Sequence, residues 1–181
     1  PYEYAEKEAT RPYKSEWFDG QVYPLQENPM AEHATGEQTM AGGTLSHALL
    51  VAAVAREIGA ALFGKPCRAF SSELMVRVPA TGLSSYPDAT VVCGKPERDP
   101  EYKNSVVNPT LLVEVLSPST EAYDRGVKFA NYRQIPTLRE YVLVATTNVG
   151  VEVFRRNPDE SWTLPADGPG GSPGSGRRRR W

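Results

Sequence analysis

The sequence predicts a single α/β (α+β) domain in which helices flank a central mixed β-sheet, with an N-terminal β-hairpin before it. The 181 residues and the 40% hydrophobic content suffice for one ordinary core. Strand-like and helix-like patterns alternate along the chain. The run 110–116, T-L-L-V-E-V-L, is almost continuously apolar, which is typical of a strand covered on both faces. We therefore expect this strand to be central in the sheet.

Local signals place the other elements around that strand. Asp19-Gly20 lies between two short aromatic and β-branched runs and predicts a tight hairpin turn. Thr44 can cap an Ala-rich, half-buried helix, and Pro136 ends a second helix. The predicted order is a hairpin, a helix, three strands, a helix and two strands, at residues 15–25, 44–63, 67–78, 87–93, 110–116, 117–134, 141–145 and 149–154.

The ends of the chain differ from this core. Residues 1–165 are expected to form the single domain, within which 1–14 show no clear period and suit an extended arm. Residues 166–181 are rich in Gly, Pro, Ser and Arg, so we expect this tail to be disordered. We interpret its run of arginines as part of a solvated tail. The alternative interpretation is an arm that binds phosphates.

Composition narrows the compartment and the partners. The formal charge is −2, and it becomes −6 without the four arginines 177–180, so the body is acidic and a general electrostatic attraction to DNA is disfavoured. No apolar run is long enough to span a membrane and no signal-peptide pattern is visible, which indicates a soluble, cytoplasmic protein without a membrane partner. Cys67 and Cys93 lack metal-type spacing and are interpreted as small core residues, in keeping with a reducing cytoplasm.

Glu114 is the most informative residue of the sequence. A carboxylate within an apolar strand costs several kcal/mol to desolvate unless a cation or a donor compensates it. One interpretation is a structural ion pair with one of three nearby basic residues, Arg125, Lys128 or Arg139. The other interpretation is a ligand for a hard cation.

Asp88 and Lys128 favour the cation hypothesis. Asp88 begins the preceding strand, and if the two strands are neighbours, its carboxylate and that of Glu114 can share one end of the sheet. Two such acids suit Mg²⁺, which takes oxygen ligands and keeps waters for substrate phosphates. Lys128 lies on the following helix, from which its ammonium could reach the same cleft. The alternatives are a turn aspartate and an exposed helical lysine.

Three segments carry a resemblance to a known family: Y-P-D-A-T-V-V-C, P-T-L-L-V-E-V-L-S-P-S-T-E-A-Y-D-R-G-V-K-F-A-N-Y and L-R-E-Y-V-L-V. Together with E-W-F-D-G and G-G-T-L-S-H, they resemble the Uma-type (Uma-two) restriction-endonuclease-like family of the PD-(D/E)XK nuclease superfamily, over roughly 15–162. The resemblance implies a bacterial protein with a restriction-endonuclease-like core. It also implies cleavage of DNA phosphodiester bonds with Mg²⁺, or Mn²⁺ in its place.

The resemblance also assigns roles to particular residues. By position, the two metal-binding acids of the superfamily correspond to Asp88 and Glu114, with the Val115 carbonyl beside them. The lysine expected two residues after the glutamate is replaced by Leu116, which can neither orient a water nor stabilise charge. Lys128 matches the lysine of a D-x-x-x-K pattern in this family and is the expected catalytic lysine.

Two further residues are supporting candidates. His47 matches a histidine before the first helix and could act as a donor or proton carrier, or could simply cap the helix. Glu73, in S-S-E-L-M-V-R-V, resembles an acidic family position and could bind a metal or a lysine, although a strand-edge glutamate is usually solvated.

Two function classes remain open at this point. The first is a Mg²⁺-dependent DNA endonuclease, for which cleavage of two strands would favour a homodimer. The second is a catalytically inactive nuclease-fold protein that serves as an interaction module in a defence or mobile-element system. Leu116 favours the second class, and the retained acids favour the first.

Overall fold

The computed structural model describes Tyr4 and residues 7–8, 10, 14–18, 20–24 and 44–163. The first helix is α1 (Leu45–Ala61), and the second, α2, consists of the consecutive segments Glu121–Tyr123, Asp124–Lys128 and Phe129–Tyr132. The strands are β1 (Ser15–Phe18), β2 (Gln21–Pro24), β3 (Cys67–Ser71), β4 (Met75–Arg77), β5 (Ser84–Ser85), β6 (Ala89–Cys93), β7 (Ser105–Val106), β8 (Leu111–Val115), β9 (Glu140–Val144), β10 (Val151–Arg156) and β11 (Trp162–Thr163).

The central sheet has the order β11-β10-β9-β8-β6-β3, so β8 lies in its interior as predicted. The pair β8–β9 is parallel and the other pairs are antiparallel, which makes the sheet mixed. The parallel pair requires a crossover, and α2 provides it.

A second, smaller sheet has the order β2-β1-β5-β4-β7. Its β1–β2 hairpin confirms the predicted turn, because Phe18 pairs with Gln21 and Gly20 adopts a positive φ of 79°. Trp17 of the hairpin pairs with Ser84 of β5, which brings the hairpin beside the chain that enters the central sheet at β6.

Both faces of the central sheet are covered, as the apolar pattern of β8 predicts. Val113 and Val115 pack on the face that contacts α1, where partly buried side chains such as Leu50 and Val54 complete a small core. Leu112 and Leu116 point to the opposite face and join the main core. The alternation of a strand therefore directs Glu114 to the main-core face, where the aromatic side chains of α2 also lie.

Three predicted elements differ from the structure. The strand expected at 67–78 is two strands in different sheets, since residues 72–74 turn the chain and Leu74 donates its amide to the Ser71 carbonyl. The loop expected at 94–109 contains β7, which pairs in parallel with β4. The second helix is shorter than 117–134, because hydrogen-bonded turns occupy 117–120, and it contains a π turn at Asp124–Lys128.

The interpretation of the two cysteines was wrong. Cys67 and Cys93 face each other in the β3–β6 register and form a disulfide. Neither side chain is buried, so neither acts as a small core residue. Spacing in the sequence gives no strand register, and register is what brings the two sulfurs together. The cysteines consequently no longer support the expectation of a reducing cytoplasm.

Several expectations lie outside the described residues. These are the tail 166–181 and most of the arm 1–14. Within the described part of the arm, Tyr4 is buried and its hydroxyl donates to the Ser15 carbonyl. Among the described residues, no helix is both long enough and apolar enough to cross a bilayer.

Candidate functional site

The register of β6 and β8 brings the two predicted acids together. Ala89 pairs with Val113 in the antiparallel ladder, so the next position places Asp88 opposite Glu114. The Val115 amide donates to Asp88 Oδ2 at 2.7 Å and fixes this carboxylate beside the strand. Asp88 and Glu114 are therefore neighbours at one end of the sheet, as the sequence indicated.

Glu114 is buried, with 4% of its surface exposed. Its Oε1 accepts hydrogen bonds from Lys128 Nζ and from the Tyr132 hydroxyl, both at 3.1 Å. Burial raises the pKa of Glu114 well above its ordinary value, the ammonium of Lys128 opposes this rise, and the charge of Asp88 adds to it. Of the three cations considered for a structural ion pair, Lys128 is the one in contact.

Lys128 is not the exposed helical lysine of the alternative interpretation, because only 6% of it is accessible. Its Nζ lies 3.0 Å from Glu16 Oε1, 3.1 Å from Glu114 Oε1 and 3.4 Å from Asp124 Oδ1. Asp124 and Lys128 are the first and last residues of the π turn, a feature that often occurs at functional positions in helices. Lys128 thus reaches the carboxylates from α2, the helix that follows β8.

The buried cluster contains more negative than positive groups. Glu16, Glu114 and Asp124 are each buried, and Lys128 is the cation in contact with all three. Burial raises the pKa of Asp124, against the lowering influence of Lys128. A second positive charge or a bound proton would therefore be stabilised here.

Sequence reasoning missed two members of this cluster. Glu16 lies in β1 directly before the aromatic residues Trp17 and Phe18, and nothing in its local pattern indicates burial. Asp124 is the aspartate of the D-x-x-x-K pattern, and its spacing of four from Lys128 on a helix was the signal that could have identified it.

The two supporting candidates occupy different places. His47 lies in the first turn of α1, where its amide donates to the Thr44 side chain, and its Nε2 is 3.6 Å from Asp88 Oδ2. Interaction with the Asp88 side chain raises the pKa of His47, and partial burial opposes this. Glu73 instead lies on the turn after β3, where it is exposed and forms an ion pair with Lys14. Its contacts within the described residues do not include Asp88, Glu114 or Lys128.

The donor chemistry of the site fits a hard cation. Within the described residues, hydrogen bonds reach Asp88 at Oδ2 and Glu114 at Oε1, so Oδ1 and Oε2 accept none from the protein. No group of three or more His, Cys, Asp or Glu side chains in the described ranges is arranged to hold a metal. The two carboxylates of Asp88 and Glu114 suit Mg²⁺, which commonly binds through one or two carboxylates with waters and phosphates.

A cavity of about 380 Å³ lies beyond the carboxyl ends of β8 and β9. Its lining includes Leu116, Glu121, Arg125 and Glu152, and does not include the two acids opposite each other in the sheet. Arg125 is already held by a bidentate ion pair with Glu152 and by Glu121. The cavity is therefore separate from the carboxylate cluster.

Known proteins resemble this chain in sequence over most of its length. The profile of the Uma2 family, described as "Putative restriction endonuclease", matches residues 3–173. The chain belongs to the Uma2 family. A relative from Synechocystis sp., "Uncharacterized protein slr1290", is 34% identical over 164 residues, which are 91% of this chain and 77% of the relative. A second from the same organism, "Uncharacterized protein sll1609", is 28% identical over 90% of this chain and 83% of its own length.

A solved structure agrees with the Uma2 assignment at the level of the fold. The crystal structure titled "a putative nuclease belonging to DUF820", from Anabaena variabilis, superposes with a TM-score of 0.62 at 17% identity. The match covers 88% of this chain and 82% of that one. The resemblance noted in the sequence and the restriction-endonuclease-like fold class are both confirmed. The roles of Asp88, Glu114, Lys128, His47 and Glu73 remain predictions.

Proposed function

We propose that this Uma2 protein is a Mg²⁺-dependent endonuclease that hydrolyses DNA phosphodiester bonds, with Mn²⁺ able to replace Mg²⁺. The observation that carries the proposal is the pair of opposed carboxylates, Asp88 and Glu114, with the ammonium of Lys128 on Glu114. Membership of a restriction-endonuclease-like family supports the choice of a nucleic-acid phosphodiester as the substrate.

The residues of the site have different roles in the proposed reaction. Asp88 Oδ1, Glu114 Oε2 and the Val115 carbonyl would hold the ion. When bound, Mg²⁺ neutralises charge on the scissile phosphate and lowers the pKa of the attacking water. The Val115 amide keeps the Asp88 carboxylate in place by binding its other oxygen. Lys128 supplies a positive charge beside the reacting phosphate, where it orients the water or stabilises developing negative charge.

His47 is a positioning residue in the same proposal. Its Nε2 faces the Asp88 oxygen that does not bind the ion, so it restrains the carboxylate from the α1 side. Glu73 has no part in the proposed chemistry, because its described contact is with Lys14.

One observation favours the second candidate, a nuclease-fold interaction module without catalysis. Glu114 already has a complete ion pair and a hydrogen bond from Tyr132, so it is stabilised without a metal. In that case the acids serve the fold alone, and divalent cations have no effect on the protein.

The deciding experiment compares the natural protein with its Asp88→Ala variant. Isothermal titration of Mg²⁺ and Mn²⁺ is followed by incubation with supercoiled, linear, single-stranded and branched DNA. We expect metal binding and metal-dependent nicking in the natural protein and the loss of both in the variant. The control is Glu57→Gln, which removes an exposed carboxylate of α1 and should leave both unchanged. Cleavage by the Asp88→Ala variant at the natural rate would refute the assignment, and no metal binding by the natural protein would favour the interaction module.

A further inference from the structure

Glu16 is a buried carboxylate that comes from outside the central sheet. It lies in β1, the inner strand of the hairpin, and only 1% of it is exposed. A carboxylate in such a position is costly unless it is paired and hydrogen-bonded. Its contacts therefore indicate what the hairpin contributes to the site.

One oxygen of Glu16 joins the two halves of the site. Oε1 lies 3.0 Å from Lys128 Nζ and accepts a hydrogen bond of 3.3 Å from the Tyr86 amide. Tyr86 is two residues before Asp88, on the segment that leads from β5 into β6. A single atom thus restrains both the lysine of α2 and the chain that carries one of the two acids.

The position of Glu16 relative to Glu114 gives this restraint a chemical consequence. The Lys128 ammonium contacts both carboxylates, Glu16 at 3.0 Å and Glu114 at 3.1 Å. A cation that competed for Glu114 would leave the flexible side chain of Lys128 with two carboxylate partners, Glu16 at 3.0 Å and Asp124 at 3.4 Å. Of these two, Glu16 is the shorter contact and the one that comes from outside α2.

The smaller sheet also reaches Glu114 by a second route, through β5. Trp17, next to Glu16, pairs with Ser84 of β5. The Ser85 hydroxyl then lies 2.8 Å from the Tyr132 hydroxyl, which donates to Glu114 Oε1. The smaller sheet therefore contacts the carboxylate cluster at two points, through Glu16 of β1 and through Ser85 of β5.

We propose that Glu16 is the positioning residue that holds Lys128 beside Glu114 and keeps the approach to Asp88 in register. This rests on the proposed nuclease function for its catalytic consequence. Glu16 does not touch the reacting phosphate, and its effect is exerted through Lys128 and through the Tyr86 amide.

The test uses the full chain with three variants. Glu16→Gln keeps the size and an acceptor oxygen for the Tyr86 amide but removes the charge that holds Lys128. Glu16→Asp keeps the charge on a shorter side chain. Glu8→Gln is the matched control, because its carboxylate also links the hairpin to Tyr86, by accepting from the Ser15 amide and the Tyr86 hydroxyl.

The readouts are the single-turnover rate of Mg²⁺-dependent DNA cleavage, the DNA dissociation constant and the melting temperature. We expect Glu16→Gln to lower the rate about 10–100-fold, as loss of a residue that orients the reacting groups does, with DNA affinity within about twofold. Glu16→Asp should recover part of the rate. Glu8→Gln should lower the melting temperature without a comparable loss of rate. Natural cleavage by Glu16→Gln, or an equal loss of rate in Glu8→Gln, would overturn the inference and leave the proposed function intact.

A second measurement does not depend on catalysis. Melting temperatures of Glu16→Gln, Lys128→Met and the double variant form a double-mutant cycle. We expect the double variant to melt well above the temperature obtained by adding the two single shifts. Additive shifts would show that Glu16 does not hold Lys128. If the natural protein fails to cleave DNA, the proposed function and the catalytic role of Glu16 both fail, and the cycle still decides whether Glu16 positions the lysine.

Discussion

Replacement of Lys128 by Met should destabilise the protein strongly. The substitution keeps a long unbranched side chain, so the core volume changes little. It removes the cation within 3.0–3.4 Å of Glu16, Glu114 and Asp124, all of which are buried. Breaking a buried ion pair by deleting one partner costs about 3–5 kcal/mol, because the other charge is left uncompensated. For a chain of this length, that loss lowers the melting temperature by roughly 6–20 °C.

The free energy of unfolding lost in Lys128→Met should depend on pH. Burial raises the folded-state pKa of Glu114 and Asp124, and Lys128 lowers both. Without the lysine these pKa values rise further. A carboxyl group with a raised folded-state pKa contributes stability that is fully present below its unfolded value and is lost as pH rises through the folded value. The cost of Lys128→Met should therefore be smaller at pH 5 than at pH 8.

Urea unfolding followed by circular dichroism at both pH values measures this cost. The control is Lys103→Met, an exposed lysine, which should change the free energy of unfolding by less than about 0.5 kcal/mol. A loss below about 1 kcal/mol for Lys128→Met at pH 8 would show that the buried carboxylates do not depend on this lysine. A larger loss at pH 5 than at pH 8 would contradict the charge argument.

The remaining predictions concern the disulfide and one glycine. Oxidised protein treated with an alkylating reagent should show no free thiol at Cys67 or Cys93. Cys93→Ser should lower the free energy of unfolding by about 2–4 kcal/mol, measured by urea unfolding. Equal stability with and without a reductant would contradict a stabilising disulfide. Gly82→Ala should lower the free energy of unfolding by more than about 1 kcal/mol, because Gly82 has a φ of +85° and an added Cβ would lie 2.8 Å from Trp17 Cζ3. The control is Gly59→Ala, inside α1, where no atom lies within 4 Å of the new methyl group. This control should be neutral or stabilising in the same assay.

The sequence was sufficient to predict the neighbourhood of Asp88 and Glu114. The apolar run around Glu114 indicated a central strand, and Asp88 was expected beside Glu114 if the preceding strand was its neighbour. The helix that follows β8 must return across the sheet, so a lysine about two turns into it could be expected near Glu114. The resemblance to the Uma-type family pointed to the same three residues, Asp88, Glu114 and Lys128.

Glu16 could not be predicted in this way, because its contact with Lys128 joins residues more than a hundred positions apart, one in the smaller sheet and the other in the crossover helix α2. The two-sheet arrangement was hidden for a related reason. The pattern at 67–78 continues through the turn at 72–74, so periodicity gives no sign that β3 and β4 diverge. The Cys67–Cys93 bond likewise depends on register, which the spacing of two cysteines does not specify.

The charge content of the cluster favours the proposed nuclease over the interaction module. Buried ion pairs contribute little net stability, and apolar side chains of similar volume often serve a fold as well or better. A protein that used this fold only to contact a partner would gain nothing from three buried carboxylates around one lysine. A site that must accept a divalent cation and a phosphate needs such an excess of carboxylate, together with a cation that stays in place when the ion arrives. If the protein is the proposed nuclease, Glu16 and Glu114 would provide that carboxylate and Lys128 the retained cation, which would account for burying these charges at a cost in stability.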